Sequence, residues 1–247
     1  MSEITLSVDG IEVSVAAGST IMEAADKVGV KVPRLCYHPK LSTQGSCRVC
    51  LVEVEGLRSP VVSCSYPAEQ GMVVHTHTPE ILQLRRDIVE LLIDNHPEDC
   101  NTCERDSNCE LQRLASAMGI RERLFAGERK RYEKDLSSPS VIRDPEKCVL
   151  CGRCVRMCGE VQEVAALGQV FRGFQTVVMP AHDSPFIETV CTGCGQCINV
   201  CPTAAFLERD ATAQFLEAIE DPDTVVVSQM APSVRAALGE CFELEPG

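Results

Sequence analysis

The sequence contains no tryptophan, and aromatic residues make up only 4% of its 247 residues. So few large side chains argue against one large core and favour several small domains, although 45% of the residues are hydrophobic. No stretch approaches the roughly 18 apolar residues of a membrane-spanning helix, so none is predicted. The opening MSEITLSVDG has neither the basic nor the apolar segment of a signal peptide. We therefore expect a cytoplasmic protein.

Basic residues are also scarce. The sequence has 23 lysine and arginine residues and 36 aspartate and glutamate residues, which gives a formal net charge of −13. That balance argues against a surface that binds nucleic-acid phosphates. The sequence has no G-x-G-x-x-G or G-x-x-x-x-G-K-S/T motif, so no nucleotide site is recognisable. No set of base and nucleophile stands out, since His75 and His77 are predicted to be exposed polar surface. We expect no catalytic residue in this chain.

Cysteine, in contrast, is abundant, with 16 residues. In a chain that is not exported, these thiols stay reduced, so metal ligation is expected rather than disulfides. Cys241 stands apart and is predicted to be a small buried apolar residue rather than a nucleophile. The other fifteen form four blocks, namely Cys36, Cys47, Cys50 and Cys64; Cys100, Cys103 and Cys109; Cys148, Cys151, Cys154 and Cys158; and Cys191, Cys194, Cys197 and Cys201.

The last two blocks have the C-x2-C-x2-C-x3-C spacing of bacterial ferredoxins, whose fourth cysteine ligates the other cluster. One such block is compatible with zinc, but two in tandem favour a pair of [4Fe–4S] clusters. The first block departs from the pattern, because Gly159 rather than proline follows Cys158. The spacing predicts one cluster on Cys148, Cys151, Cys154 and Cys201, and another on Cys158, Cys191, Cys194 and Cys197.

The first block differs from a zinc ribbon, which pairs one C-x2-C with a second. Here Cys36 and Cys64 stand singly on either side of the pair Cys47 and Cys50. That layout predicts a [2Fe–2S] site, although plant ferredoxins space their first two cysteines more closely.

The second block has three cysteines and no fourth. A lone histidine at a helix end is usually structural, but His96 precedes these three cysteines within thirteen residues. We therefore predict a [4Fe–4S] cluster on His96, Cys100, Cys103 and Cys109. The prediction for the whole chain is one [2Fe–2S] and three [4Fe–4S] clusters.

The pattern of apolar residues predicts an α+β fold in five segments. Residues 1–78 form a small domain, in which Asp9-Gly10 joins two strands and Thr20–Glu23 is a capping box before a helix. Residues 79–125 are predicted to be helical. The apolar stripe of their first helix is Ile81, Leu84, Ile88, Leu91 and Leu92.

The second half of the chain continues with a charged linker at residues 126–142. Residues 143–210 hold the two tandem blocks on either side of a predicted hairpin, VFRGFQTVVMP. The tail, residues 211–247, is predicted to contain an acidic turn at Glu217–Asp223, a strand at Val225–Val227 and a helix after Pro232.

Several stretches resemble a known family. They are LCYHPKL, GSCRVCLVEVEG, NHPEDCNTCERDSNCELQRLA, DPEKCVLCGRCVRMC, RGFQTVV and CTGCGQCINVCPTAA, and together they span essentially the whole chain. They resemble the N-terminal accessory region of NAD(P)-linked, multi-subunit [FeFe]-hydrogenase large subunits. The same module opens the largest peripheral-arm subunit of respiratory complex I and some NAD-dependent formate dehydrogenases.

The resemblance implies three iron–sulfur domains and the same ligand roles for His96 and the fifteen cysteines. The domains are a β-grasp [2Fe–2S] domain, a small helical His/Cys3 [4Fe–4S] domain and a bacterial ferredoxin-like 2[4Fe–4S] domain. The tail VVVSQMAPSVRAALGECFELEPG resembles the first strand and helix of the hydrogenase catalytic domain. The cysteine-rich motifs that hold the hydrogen-activating cluster in that family are not found in these residues.

The function implied by the resemblance is electron transfer between a flavin/NAD(P)(H) subunit and a separate catalytic subunit. The implied partners are a flavoprotein, a thioredoxin-like [2Fe–2S] subunit, and a [NiFe]-type hydrogenase or formate dehydrogenase catalytic subunit. Three alternatives stay open: the accessory-cluster portion of a truncated [FeFe]-hydrogenase, the wiring subunit of an NAD-dependent formate dehydrogenase, and a zinc-based structural module. NAD or NADP, the direction of electron flow and electron bifurcation are left open by the sequence.

Overall fold

The structure is a computed structural model that describes residues 2–125 and 127–245. Its internal contacts divide the chain into two compact units, Met1–Glu208 and Arg209–Gly247. The first unit contains His96 and the fifteen cysteines of the four blocks. The second unit contains Cys241.

A mixed sheet and one helix form the start of the first unit. The strands are β1 Glu3–Val8, β2 Ile11–Ala16, β3 Leu51–Val54, β4 Val61–Val62 and β5 Val73–His75, and the helix is α1 Ile21–Lys27. The strand order is β2-β1-β5-β3-β4. β1 runs parallel to β5, and all other pairs are antiparallel. The apolar side of α1 packs on this sheet, which fixes the loops that carry the first cysteine block.

Local sequence signals account for the turns of this region. Asp9 and Gly10 both adopt positive φ angles, 50° and 82°, as a tight turn between β1 and β2 requires. Thr20 Oγ1 accepts a hydrogen bond from the Glu23 backbone at 3.2 Å, and Glu23 Oε2 accepts one from the Thr20 backbone at 2.7 Å. The predicted hairpin turn and capping box are both confirmed.

Two helices follow, α2 Pro79–Asp94 and α3 Glu110–Ala117. They pack against Leu35 and Val49, which lie in the loops of the first cysteine block. The buried face of α2 is Ile81, Arg85, Val89 and Glu90. The apolar stripe predicted from the sequence is therefore wrong in part, because Leu91 is exposed and a charged residue, Arg85, occupies the centre of the buried face.

The rest of the first unit is built from two small sheets and two short helices. β6 Val141–Arg143 pairs antiparallel with β9 Phe206–Glu208, and β7 Gly168–Val170 pairs antiparallel with β8 Val177–Met179, so the predicted hairpin is confirmed. The rings of Phe186 and Phe206 meet edge to face in the core, with their centroids 6.2 Å apart. The helices are α4 Arg153–Arg156, which continues as a π-helical turn over Met157–Val161, and α5 Gln196–Val200. Short 3-10 turns cover Cys100–Thr102, Pro145–Lys147, Gly173–Gln175, Ala181–Asp183 and Phe186–Glu188.

The second unit consists of α6 Thr212–Glu220 and α7 Pro232–Cys241. The helix after Pro232 is confirmed, whereas α6, which covers half of the supposed acidic turn, was not expected from the sequence. The predicted strand at Val225–Val227 is wrong: these residues form no strand in the described structure, and Val225 and Val227 are 87% and 84% exposed. Across the described residues, no helix combines the length and the apolar character needed to cross a membrane.

Candidate metal centres

The first block converges between α1 and the sheet. Cys36 and Cys47 lie in the loop after α1, Cys50 directly precedes β3, and Cys64 follows β4. The thiol of Cys36 is in hydrogen-bond contact with those of Cys47 and Cys64, and Cys64 also contacts Cys50. The backbone N–H of Cys36 donates to Cys47 Sγ at 3.4 Å. Four sulfur atoms from two separate loops, the one between α1 and β3 and the one after β4, therefore form one group.

The thiols of this group have divergent acidities. Hydrogen bonds from Cys47 and Cys64 lower the pKa of Cys36, and a hydrogen bond from Cys64 lowers the pKa of Cys50 to about 6. The donating thiols respond in the opposite direction, since their hydrogen bonds to Cys36 raise the pKa of Cys47 and of Cys64. Two of the four sulfurs thus favour the thiolate, which is the form that binds iron.

The second block lies between α2 and α3. His96 is buried just after α2, and it lines one pocket together with Cys100. Burial lowers the pKa of His96 to about 4, so its imidazole is neutral at pH 7 and can act as a metal ligand. Cys103 and Cys109 do not line that pocket. Burial raises the pKa of Cys100 and of Cys109, and the neighbouring Cys103 raises both further.

The tandem blocks exchange their fourth cysteines. Cys201 lines one narrow cavity together with Cys148, Cys151 and Cys154, from which it is at least 47 residues distant in sequence. A second cavity is lined by Cys158, Cys191, Cys194 and Cys197. These are the two four-cysteine sets that the ferredoxin spacing predicts.

The two blocks share a backbone device as well. Gly152 and Gly195 stand at the same place in the two copies, and each begins a helix, α4 or α5, from the left-handed conformation with φ of 68° and 72°. Burial raises the pKa of Cys148 to about 11 and of Cys151 and Cys197 to about 12. These thiols are protonated at pH 7 without metal, so metal binding releases protons.

The donor sets match the chemistry of a cluster better than that of a single ion. The described residues contain no group of three or more His, Cys, Asp or Glu side chains that could hold a single metal ion. In a [4Fe–4S] cluster each ligand binds a different iron atom, so its ligands stand further apart than those of one ion, whereas a [2Fe–2S] cluster has two ligands on each iron. Three sets of four cysteines, together with His96 and the second block, fit such clusters in number and in ligand type. The individual ligand assignments stay predictions.

Three family models match successive parts of the chain. Residues 1–79 match the 2Fe-2S iron-sulfur cluster binding domain, residues 85–123 match the NADH-ubiquinone oxidoreductase-G iron-sulfur binding region, and residues 138–207 match the ferredoxin-like domain of NADH-quinone oxidoreductase subunit 3. A crystal structure of an NAD+-reducing [NiFe]-hydrogenase in the H2-reduced state superposes with a TM-score of 0.79. It is 30% identical, and the match covers 85% of this chain and 89% of that chain. The chain belongs to the family of NADH-quinone oxidoreductase G-like iron–sulfur regions.

Relatives in the same family are longer proteins. The NADP-reducing hydrogenase subunit HndD of Solidesulfovibrio fructosivorans is 47% identical over 253 aligned positions, which cover 100% of this chain and 43% of HndD. The NADH-ubiquinone oxidoreductase 75 kDa subunit of Reclinomonas americana is 36% identical over 231 positions, which cover 90% of this chain and 33% of that protein. The chain thus spans less than half the length of these two relatives.

Several charged residues near the predicted ligands of this family member were not identified from the sequence. Lys147 directly precedes Cys148 in the sequence. Its ammonium group donates to Asp99 at 3.1 Å and contacts the Cys103 thiol of the second block. Arg153, between Cys151 and Cys154, forms a two-pronged ion pair with Glu110 of α3. Their position directly beside a predicted ligand cysteine is the sequence signal that could have identified these basic residues.

Arg156 joins the first block to the third. Its Nη2 donates to the backbone carbonyl of Cys36 at 2.6 Å and to that of Cys151 at 3.3 Å, while Nη1 donates to the carbonyl of Ser42. Ser42 also donates through its backbone N–H to Glu160 Oε2 at 2.9 Å. One guanidinium group therefore connects the backbones of two predicted ligand sets.

The remaining candidates behave as ordinary surface. Cys241 is exposed, so the prediction of a buried apolar residue is wrong. His75 Nε2 lies 2.9 Å from Glu55 Oε1, and His77 Nδ1 lies 3.4 Å from Asp9 Oδ2. Both histidines are at least one-third exposed, as the sequence predicted.

Proposed function

We propose that this chain is the iron–sulfur electron-transfer subunit of a multi-subunit oxidoreductase. In this proposal Cys36, Cys47, Cys50 and Cys64 hold a [2Fe–2S] cluster, and three [4Fe–4S] clusters are held by His96, Cys100, Cys103 and Cys109; by Cys148, Cys151, Cys154 and Cys201; and by Cys158, Cys191, Cys194 and Cys197. The observation that carries it is the exchange of fourth cysteines, because Cys158 and Cys201 each line the cavity of the opposite block.

Each cluster, when bound, would supply a one-electron redox centre. The chain's own residues fix the order and environment of these centres. Thiolates and one neutral imidazole provide the ligands, and burial limits water at the buried sulfurs of Cys50, Cys64, Cys151 and Cys154. Arg156 holds the loop of Cys36 against the loop of Cys151, so an electron can pass between neighbouring groups without a domain movement.

The wider setting is also part of the proposal. The first region would be a β-grasp domain at residues 1–78, followed by a helical domain at 79–125, a linker at 126–142 and a ferredoxin-like domain at 143–210. The partners would be a flavoprotein that binds NAD(P), a thioredoxin-like [2Fe–2S] subunit, and a hydrogenase or formate dehydrogenase catalytic subunit in the cytoplasm. Similarity to an NADP-reducing hydrogenase subunit and to an NAD+-reducing hydrogenase supports the hydrogenase choice.

A second candidate is the accessory-cluster portion of an [FeFe]-hydrogenase chain. The observation in its favour is that the alignment with HndD covers 100% of this chain, including residues 209–247. The two candidates agree on the four clusters and differ in the location of the catalytic site.

The test begins with metal content. The chain, purified without oxygen, should contain about 14 iron atoms, the sum of one two-iron and three four-iron clusters. Zinc at roughly one atom per four cysteines, with little iron, would contradict the proposal and favour the structural module.

Electron transfer is tested next on the same sample. Dithionite should reduce the clusters, and EPR should then show one two-iron signal and several four-iron signals. NADH or NADPH alone should leave them oxidised, whereas addition of the flavoprotein should allow their reduction. Hydrogen turnover by the 247 residues alone would overturn both candidates, because each requires a hydrogen-activating site outside these residues.

A further inference from the structure

Arg85 is a buried cation that belongs to none of the proposed ligand sets. It lies on α2 between Ile81 and Val89 and is only 2% exposed. Its Nε and Nη2 donate to the backbone carbonyl of Leu51 at 3.0 Å and 2.5 Å. Leu51 directly follows Cys50, so the guanidinium group lies beside the first cysteine block.

The described structure gives Arg85 no acidic partner. None of the ion pairs among the described residues includes it, whereas the other three strongly buried cations each have one. Lys147 pairs with Asp99, Arg153 with Glu110, and Arg143 lies 4.0 Å from Asp183. An unpaired buried charge is strongly unfavourable, so an anionic group beside Arg85 would stabilise it.

The first cysteine block lies on this side of α2, because the carbonyl that Arg85 contacts belongs to Leu51, the residue after Cys50. Burial lowers the pKa of Arg85 to about 10, and Cys50 opposes this more strongly than Asp9, the other acidic group that acts on it. Arg85 is therefore protonated at pH 7 and is the cation facing Cys50 from α2. Arg34 faces Cys50 from the loop after α1, but it is paired with Asp26 at 2.5 Å.

We propose that Arg85 is the counter-ion of the [2Fe–2S] site and a positioning residue that raises its reduction potential. This inference rests on the proposed function of Cys36, Cys47, Cys50 and Cys64. Four thiolates make the site anionic, and reduction adds one electron and no proton in this scheme. A fixed buried cation stabilises the more negative, reduced state more than the oxidised one, and thus favours uptake of the electron.

A purely structural role for Arg85 makes a different prediction. In that case the side chain only ties α2 to Leu51 through two hydrogen bonds, and its positive charge is immaterial. Arg85→Lys keeps the charge and weakens the tie, whereas Arg85→Gln keeps an amide donor and removes the charge. If Arg85 is the counter-ion, the reduction potential should depend on the charge of the side chain at this position. If its role is purely structural, only the stability should change, and it should depend on the hydrogen bonds.

The experiment is a redox titration of the full chain without oxygen, with mediators and dithionite, in which EPR follows the two-iron signal. At the wild-type midpoint, Arg85→Gln and Arg85→Met should lower the reduced-to-oxidised ratio about tenfold, or 59 mV for one electron. Arg85→Lys should stay within about threefold of the wild type. Arg58→Met is the control, because Arg58 is exposed in the loop after β3 and belongs to no ion pair among the described residues. It should also stay within about threefold.

Three results would overturn the inference. The first is an unchanged midpoint in Arg85→Gln, which stays informative if Arg85→Met does not fold. The second is an equal shift in Arg85→Lys and Arg85→Gln, and the third is an equal shift in Arg58→Met. A wild-type chain without any two-iron signal would instead reject the proposed function, and the inference with it.

Discussion

The ion pair of Glu110 and Arg153 connects the His96 region with the tandem cysteine blocks, and its removal should accelerate cluster loss. Glu110 begins α3, and its two carboxylate oxygens accept hydrogen bonds from Arg153 Nη1 and Nη2 at 2.7 Å and 3.0 Å. The Arg153 side chain is 6% exposed, and its Nε has no hydrogen-bond partner. Glu110→Ala would leave this cation buried without a carboxylate.

The magnitude follows from burial. Removing one partner of a buried ion pair costs about 3–5 kcal/mol. The Glu110 side chain is 33% exposed, so water can partly replace it, and the lower value of about 3 kcal/mol applies. At about 1.4 kcal/mol for each factor of ten, the rate of opening should rise about a hundredfold.

The assay is the rate at which visible cluster absorbance is lost at a fixed urea concentration without oxygen. A rate is appropriate because cluster proteins do not unfold in a reversible two-state manner. The control is the double variant Glu110→Leu with Arg153→Met, in which apolar side chains replace both charges. Its rate should stay within about tenfold of the wild type, because buried pairs are often replaceable by apolar residues. The reasoning is refuted if the double variant loses its clusters as fast as Glu110→Ala.

Three further changes test the remaining assignments. Gly152→Ala and Gly195→Ala should destabilise the protein by similar amounts in the same urea assay. Each replaces a residue in the left-handed conformation, which costs about 1 kcal/mol, and the exposed end of Gln44 that a methyl group at position 152 would meet can turn away; a much larger effect at Gly152 would contradict this. His96→Cys should keep its four-iron EPR signal at a lower potential because a thiolate adds negative charge, whereas His96→Ala should lose the signal; if neither variant changes any signal, His96 is not a ligand. Cys241→Ser should leave iron content unchanged because Cys241 is exposed and outside the four blocks, and a loss of four irons would disprove that.

Features decided by neighbouring residues were predictable from the sequence. The turn at Asp9-Gly10 needs two positive φ angles, and the Thr20–Glu23 box supplies its own hydrogen bonds, so both could be predicted without tertiary information. The α+β class and the hairpin around Gly173 follow from similar local patterns. The ligand sets stay predictions from spacing; the two cavities bring together the cysteines of two of them.

Features decided by distant contacts were not predictable in this way. The buried face of α2 includes Arg85, because the carbonyl of Leu51 and the thiol of Cys50 lie opposite it in the fold. Apolar periodicity cannot place a charged residue at the centre of a buried face. The three valines at Val225–Val227 read as a strand, but a strand needs a paired neighbour, and the described residues pair none with them.

The distribution of charge gives these separate observations a common cause. The chain is acidic, with a net charge of −13, yet among the residues that the structure describes the strongly buried cations outnumber the strongly buried carboxylates. Each of the four cations acts on a predicted ligand cysteine: Arg85 on Cys50, Arg143 on Cys148, Lys147 on Cys103 and Arg153 on Cys151. Anionic clusters need compensating charge where water is excluded, and a cation there favours electron uptake. Cations buried under an acidic surface therefore fit the proposed iron–sulfur clusters, and removing the iron would affect Arg85 most, because Lys147, Arg153 and Arg143 each keep an acidic partner.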